Sequence, residues 1–375
     1  MKPELIKSSE KMDELLNRLN TVNLIAVDTE FFRETTYYPQ LALVQVATDS
    51  VVVCIDPLAF DAKPGLKKLL LDSNITKIFH SCSQDLEVLF YYLGEAPNVI
   101  YDTQIANALL TEHHQIGYAA LVENELGVAL DKSQTRTNWL QRPLTQKQLQ
   151  YAGDDVLYLY QLHKILNKKL QQLDRKIWFD EESKNLIDDN NLFQVTTDTL
   201  WTRIKGTSKL NRNKLAIAQA IAEWREQLAQ QKDKTRRRLL ADDIVVDLAF
   251  SAPENTEEVE NIIGKKYNFT QQEKQKLVDA INIAKKTPTE QCPNNRFNML
   301  DNEQKSLLKT LQQLTNNKAE KLGISNTILS SKKTLETLVL SRGQTNLSCN
   351  SKLSVMQGWR LQCIGQELLE KLKKL

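Results

Sequence analysis

Apolar and polar positions alternate along the chain with two different periods, and the change from one to the other divides it. An amphipathic helix at Ser9–Leu19 is followed by short apolar runs rich in β-branched residues at Leu24–Asp28, Leu41–Ala47 and Val51–Ile55, which read as strands. Helical patterns at Gly65–Leu71, Gln84–Leu93, Thr103–Leu110 and Tyr118–Leu126 then interleave with strand-like runs at Thr76–Phe79 and Val99–Tyr101. Three strands followed by alternating helices and strands predict a mixed sheet flanked by helices. Thr145 with Gln148 three positions later, just after Pro143, is a capping-box pattern, and it predicts a long helix from Gln146 to Leu173.

Beyond Trp201 the strand signals almost vanish and helical periodicity dominates, broken at Ser251–Thr256 and Pro288–Asn295. The stretches Arg238–Phe250 and Gly323–Ser341 look alike at an offset of roughly ninety residues, so the second half reads as two related helical modules. The expected organisation is an α/β domain over residues 1–195, an all-α domain over 210–289 and a second all-α domain over 295–375.

Charge sharpens this division. Residues 1–195 carry 19 Lys/Arg and 27 Asp/Glu, whereas residues 196–375 carry 30 and 20. A basic half beside an acidic one suits a chain that gathers a polyanion with one part and needs clustered carboxylates in the other. The cysteines at 54, 82, 292, 349 and 363 include no C-x-x-C pair and are odd in number, which fits neither a disulfide framework nor a zinc cluster. The charged opening residues contain no apolar signal segment, and no later run is long and apolar enough to span a bilayer. A cytoplasmic location with no membrane partner is expected.

Candidate chemistry begins at Ile25–Phe32. Asp28 and Glu30 stand two apart at the end of a strand, so both side chains project from one face. Like charges held together call for a cation between them, and a divalent ion with hard oxygen ligands meets that need. Tyr151 and Asp155 lie four apart and share a helix face, while Asp154 points elsewhere in a solvated or capping role. Asp85 opens a third element, a strand end running into a helix, where an acid also suits the helix dipole. Asp28, Glu30, Asp85 and Asp155 together offset the charge of two divalent ions, the requirement of two-metal phosphodiester cleavage. Tyr151, a poor general base at neutral pH, is expected to orient the attacking water.

These residues fall within runs that resemble the ribonuclease D family, of the tyrosine type of DEDD exonucleases. The runs are Asp28-Thr-Glu-Phe-Phe-Arg33, Thr36-Tyr-Tyr-Pro-Gln-Leu41, His80-Ser-Cys-Ser-Gln-Asp-Leu-Glu87, Tyr101-Asp-Thr-Gln104, Arg136-Thr-Asn-Trp-Leu-Gln-Arg-Pro-Leu144 and Tyr151-Ala-Gly-Asp-Asp-Val156, in the family's order between residues 24 and 160. The resemblance implies an RNase H-like nuclease fold and 3′-to-5′ hydrolysis of RNA to 5′-mononucleotides, with a role in maturing the 3′ ends of precursor tRNA. It places two divalent cations, Mg²⁺ or Mn²⁺, on Asp28, Glu30, Asp85 and Asp155, and water positioning on Tyr151. It also implies two C-terminal HRDC domains. Trp201-Thr-Arg-Ile-Lys205 and the helix Lys214–Glu226 look like the first, and the segment ending in Gly358-Trp-Arg360 like a less typical second.

Other residues carry weaker expectations. Phe31 and Phe32 follow the carboxylate pair and suit stacking on a terminal base as well as they suit a core. Arg136, Trp139 and Arg142 precede the tyrosine helix, where they suit backbone phosphate or loop anchoring. Arg236, Arg237 and Arg238 form the basic run best placed for charge-based RNA contact. Asp102, which also ends a strand and could replace Asp85 as third ligand, is read as a helix-start acid or one supporting the ligands, His80 as a capping or packing residue, and His113 and His114 as surface histidines. The rival functions are a DNA-directed 3′-5′ exonuclease and an inactive nucleic-acid-binding adaptor. A monomer is favoured.

Overall fold

Both alternation patterns become structure in the computed structural model, which describes every residue except 1, 132, 136, 189–192, 194–196, 295–299, 342–352 and 375. Six strands form one mixed sheet in the order β1-β4-β3-β2-β5-β6. They are β1 (Glu4–Ile6), β2 (Leu24–Phe32), β3 (Gln40–Ala47), β4 (Val52–Ile55), β5 (Thr76–Phe79) and β6 (Ile100–Asp102). The β2–β3 and β3–β4 pairs are antiparallel, and β1–β4, β2–β5 and β5–β6 are parallel. The three-residue edge strand β1 was not expected, because Lys2, Glu4 and Lys7 mask so short an apolar signal.

Helices α1 (Ser9–Arg18), α2 (Lys63–Leu70), α3 (Ser83–Leu93), α4 (Thr103–Ala108) and α5 (Tyr118–Leu126) connect or flank the strands. Helix α6 (Gln146–Gln172) starts at the expected capping box, formed in both directions by Thr145 and Gln148, and packs across the sheet. Its Gly153 allows a close approach, since a Cβ there would lie 2.9 Å from the ring of Pro3. Helix α7 (Lys176–Asp188) follows.

The chain separates into two compact units that do not follow its linear order. The first combines Met1–Phe32, Gln40–Leu192 and Leu300–Leu375. Its core is continuous: Val156, Leu162 and Phe179 belong to the same buried cluster as Leu311, Leu338 and Trp359. Trp359 stacks on Trp178 with centroids 4.6 Å apart and planes 12° from parallel. The Trp359 backbone N–H donates to Glu181 and its indole N–H to Glu182, both at 2.8 Å, while Arg360 forms a bidentate pair with Glu182. Gly358 makes this approach possible, because it adopts φ +48° and a Cβ would run into the Glu181 carboxylate.

The second unit combines Phe193–Met299 with the strap Arg33–Pro39, which links β2 to β3. Its helices are α8 (Arg212–Gln231), α9 (Arg236–Leu239), α10 (Asp242–Ser251), α11 (Thr256–Ile263) and α12 (Gln271–Lys285). Tyr37 of the strap is 5 % exposed within their core. Its hydroxyl donates to Glu226 and accepts from Gln230 at 3.0 Å and Arg236 at 3.2 Å. Two backbone links complete the attachment: Tyr38 N–H donates to Asp233 at 2.9 Å, and Thr235 N–H to the Thr35 carbonyl at 3.2 Å. Among the described residues, no helix is long and apolar enough to cross a membrane.

Candidate active site

Strand alternation aims Asp28 and Glu30 the same way from β2, where they face Gln45 and Leu43 of β3. The pairing register shifts immediately after Glu30, so a bulge ends the regular ladder at the carboxylate pair. From α6, one helical turn separates Tyr151 and Asp155 on a single face. The sheet and helix bring Asp28, Glu30 and Asp155 together with one carboxylate oxygen of each within 4.8 Å of the others.

Asp85 stands beside this trio rather than within it. It accepts a 2.6 Å hydrogen bond from Thr29, which lies between the two strand carboxylates in sequence. The turn that launches α3 toward the site is held by Asp102, whose carboxylate accepts from the N–H groups of Ser81 at 3.1 Å, Cys82 at 2.9 Å and Gln104 at 2.7 Å. Asp102 is thus the helix-start acid expected, and Thr29 is a supporting residue that no local pattern signals. His80 bonds Thr103 at 2.9 Å and the Ile116 carbonyl at 3.0 Å. Asp154 accepts from Gln150 at 2.9 Å, away from the trio.

A cavity of about 530 Å³ opens over these groups, with Asp28, Glu30, Tyr151 and Asp155 on one side and Tyr118 and Leu130 among the apolar wall. Burial first, then the neighbouring carboxylates, pushes Asp28, Glu30 and Asp85 well above the usual carboxylate range. Asp155 is pushed up to about 7, again chiefly by burial, against a lowering contact from Tyr151. No Lys or Arg among the described residues lines the cavity. Such a donor set, half-buried hard oxygens held together without a countercharge, fits a divalent cation. Burial and Asp155 raise the Tyr151 phenol above its ordinary value, and its hydroxyl is 3.5 Å from Thr135.

Several expected RNA contacts are corrected. Arg142 donates through Nε and Nη2 to Asp56 at 2.7 and 2.8 Å, through Nη1 to the carbonyls of Trp139 and Gln141, and through Nη2 to that of Ala42. All five of its donors are engaged, so it anchors the loop and cannot also clasp phosphate. Trp139 is 4 % exposed and packs in the core with Leu43, Leu144 and Leu149, which removes it from any RNA-facing surface. Arg236 is paired with Glu226 and Tyr37, whereas Arg237 and Arg238 are exposed. Phe31 and Phe32 are half-buried beyond the bulge, and neither is among the described residues lining the cavity. Arg136 lies outside the described residues.

An acidic cluster where a mixed sheet meets a long helix defines a nuclease of RNase H-like fold, and residues 3–171 match the 3′-5′ exonuclease family. Residues 214–281 match the HRDC domain, and the C-terminal region after it is helical. The chain is 34 % identical to ribonuclease D of Desulfotalea psychrophila across 96 % of each chain, and 31 % identical to that of Zymomonas mobilis across 97 % of this chain and 93 % of the relative. A crystal structure of Escherichia coli RNase D, described as an exoribonuclease involved in structured RNA processing, superimposes with a TM-score of 0.84 at 28 % identity, covering 100 % of this chain and 99 % of the other. The chain belongs to the ribonuclease D family of 3′-5′ exoribonucleases.

Proposed function

We propose that the chain trims the 3′ ends of precursor tRNA in the cytoplasm, acting as a monomer with two divalent cations, Mg²⁺ or Mn²⁺, at the acidic cluster. The observation that supports this most directly is the meeting of Asp28, Glu30 and Asp155 within 4.8 Å, half-buried and with no Lys or Arg among the described residues lining their cavity, with Asp85 alongside. These four carboxylates would hold the cations. When bound, the cations supply acidification of the attacking water and stabilisation of the leaving oxygen.

The remaining work falls to the side chains. Tyr151, whose phenol stays protonated well past neutral pH, orients the water for in-line attack on the terminal phosphorus through its hydroxyl. Attack forms the new P–O bond as the bond to the 3′ oxygen breaks, releasing a 5′-mononucleotide and leaving a 3′ hydroxyl on the shortened chain. The apolar wall around Tyr118 and Leu130 receives the terminal nucleoside, and the exposed Arg237 and Arg238 draw in the phosphate backbone.

A time course on a 3′-extended precursor tRNA tests this, run with Mg²⁺, with Mn²⁺ and with chelator, beside a matched single-stranded DNA. Stepwise release of 5′-mononucleotides from the RNA, abolished by chelator and by Asp155→Asn in a folded chain, is the expected outcome. Full activity of Asp155→Asn would remove that residue from the metal site, and faster hydrolysis of the DNA would favour the DNA-directed reading.

A further inference from the structure

Trp139 is 4 % exposed, and its indole N–H is enclosed yet makes no hydrogen bond to any described residue. A buried donor left unpaired costs about 1–3 kcal/mol. The Arg142 clamp holds the Trp139 carbonyl at 2.6 Å and ties the loop to the buried Asp56. The Trp139 backbone is therefore held by a guanidinium that makes five hydrogen bonds.

Its packing neighbours belong to the elements that carry the site. Trp139 packs with Leu43, which stands directly across the sheet from Glu30, and with Cys54 on the next strand. On the other side its ring lies 6.1 Å from that of Tyr151 at 39°. The indole is thus wedged between the strand pair that carries Glu30 and the helix that carries Tyr151 and Asp155.

We propose that Trp139 is a positioning residue whose indole N–H steadies the ionised Glu30 carboxylate in the orientation that binds a divalent cation. The placement offers Glu30 as its acceptor: Leu43, against which the indole packs, stands directly across the sheet from Glu30, and the ring of Tyr151 closes the other side. A partner of this kind behind a ligating carboxylate typically changes metal affinity by about 10–100-fold. The inference rests on the divalent-cation reading of the site, and its test separates the two.

Mn²⁺ binding to the full chain is measured directly by electron paramagnetic resonance for the wild type, Trp139→Phe and Leu144→Ala. Wild-type chain that fails to bind Mn²⁺ overturns the cation reading and this inference with it. Given wild-type binding, Trp139→Phe should bind about 10-fold more weakly or worse, with kcat on RNA reduced and KM little changed. Leu144→Ala, which loosens the same cluster and leaves the N–H in place, should lower the melting temperature and hold Mn²⁺ affinity within about twofold. Equal Mn²⁺ affinity in Trp139→Phe and wild type, or an equal loss in Leu144→Ala, overturns the inference. In a Glu30→Gln background the Trp139→Phe change should have no further effect on Mn²⁺ binding, and an additive loss also counts against it. Replacing Trp139 by benzothienylalanine, which puts sulfur where the N–H stood, applies the same criterion should the Phe variant not fold.

Discussion

The two helical regions after the nuclease segments follow the same local periodicity but enclose their apolar faces in different ways. The region inside Phe193–Met299 builds its own core and takes in Tyr37 from the strap, with Tyr38 packed against it. The region Leu300–Leu375 shares one continuous core with the sheet and α6, sealed by the Trp178–Trp359 stack and the Glu182–Arg360 pair. One is a module with a borrowed strap. The other is a wall of the nuclease unit, and its removal would expose that unit's core.

Trp359→Ala breaks the comparison most forcefully. The change removes the stack on Trp178 and the indole bond to Glu182, and burial on this scale corresponds to about 3–5 kcal/mol. Hydrogen exchange followed segment by segment should show protection falling in α6 and α7 as well as beyond Leu300, with α8 to α12 unchanged. Loss confined to residues beyond Leu300 would mean that this region is a separate domain. Tyr37→Phe is the smaller counterpart in the other unit. Deleting the hydroxyl removes its bonds to Glu226, Gln230 and Arg236, and hydrogen bonds to charged groups are worth about 1.5–3 kcal/mol. Here exchange should rise in α8 and α9. An unchanged protection pattern would mean that the strap merely rests on the module.

Distance along the chain explains what could be read in advance. Asp28 and Glu30 follow from strand alternation, and Tyr151 and Asp155 from one helical turn after a capping box, so the two halves of the site were visible as local patterns. Their meeting was expected from charge and family resemblance, since nothing local dictates it. Thr29 escaped notice because its partner Asp85 is 56 residues away. Arg142 suited a phosphate ligand as well as a loop anchor, because its partner Asp56 lies 86 residues earlier. The bond between Tyr37 and Glu226 spans 189 residues, and the one between Glu182 and Arg360 spans 178. The division into units rests on these same long-range pairs.

The units should also respond oppositely to pH when a chelator keeps cations away. In the first, the folded chain raises the carboxylates, so it binds protons more tightly than the unfolded chain does. That stability is full below the ordinary carboxylate range and is lost as pH rises through the folded values, about 7 for Asp155. In the second, burial opposes ionisation of Glu226, but Arg236, Tyr37 and Gln230 prevail and hold it below its ordinary value. Its contribution is present above the ordinary range and is lost only as pH falls through the lowered value. Between pH 6.5, the ordinary value of His163, and the lowered value of about 8 at Lys77, neither of those groups dominates. Raising pH across that window should destabilise the first unit by on the order of 1 kcal/mol through Asp155 alone, with Asp28, Glu30 and Asp85 adding to the loss, and leave the second unaffected. Mg²⁺ should abolish the slope. A slope that persists at saturating Mg²⁺ would assign it to groups outside the acidic cluster.

The smallest effect on stability is expected at the basic run, and it separates residues that adjoin in sequence. Arg236 is held by Glu226 and Tyr37, so Arg236→Ala should lower the stability of the second unit and alter RNA affinity only through that loss. Arg237 has a single 3.6 Å ion pair with Asp242 and its side chain is 68 % exposed, and Arg238 is also exposed. Surface changes of this kind usually move stability by no more than about 0.5 kcal/mol. Each nevertheless removes a charge available to phosphate, so Arg237→Ala or Arg238→Ala should reduce the slope of log affinity against log salt by about 1. Titrations of folded RNA at several salt concentrations measure that slope. If it is the same in both variants as in the wild type, the phosphate backbone is met elsewhere, and the module's basic run serves only its own packing.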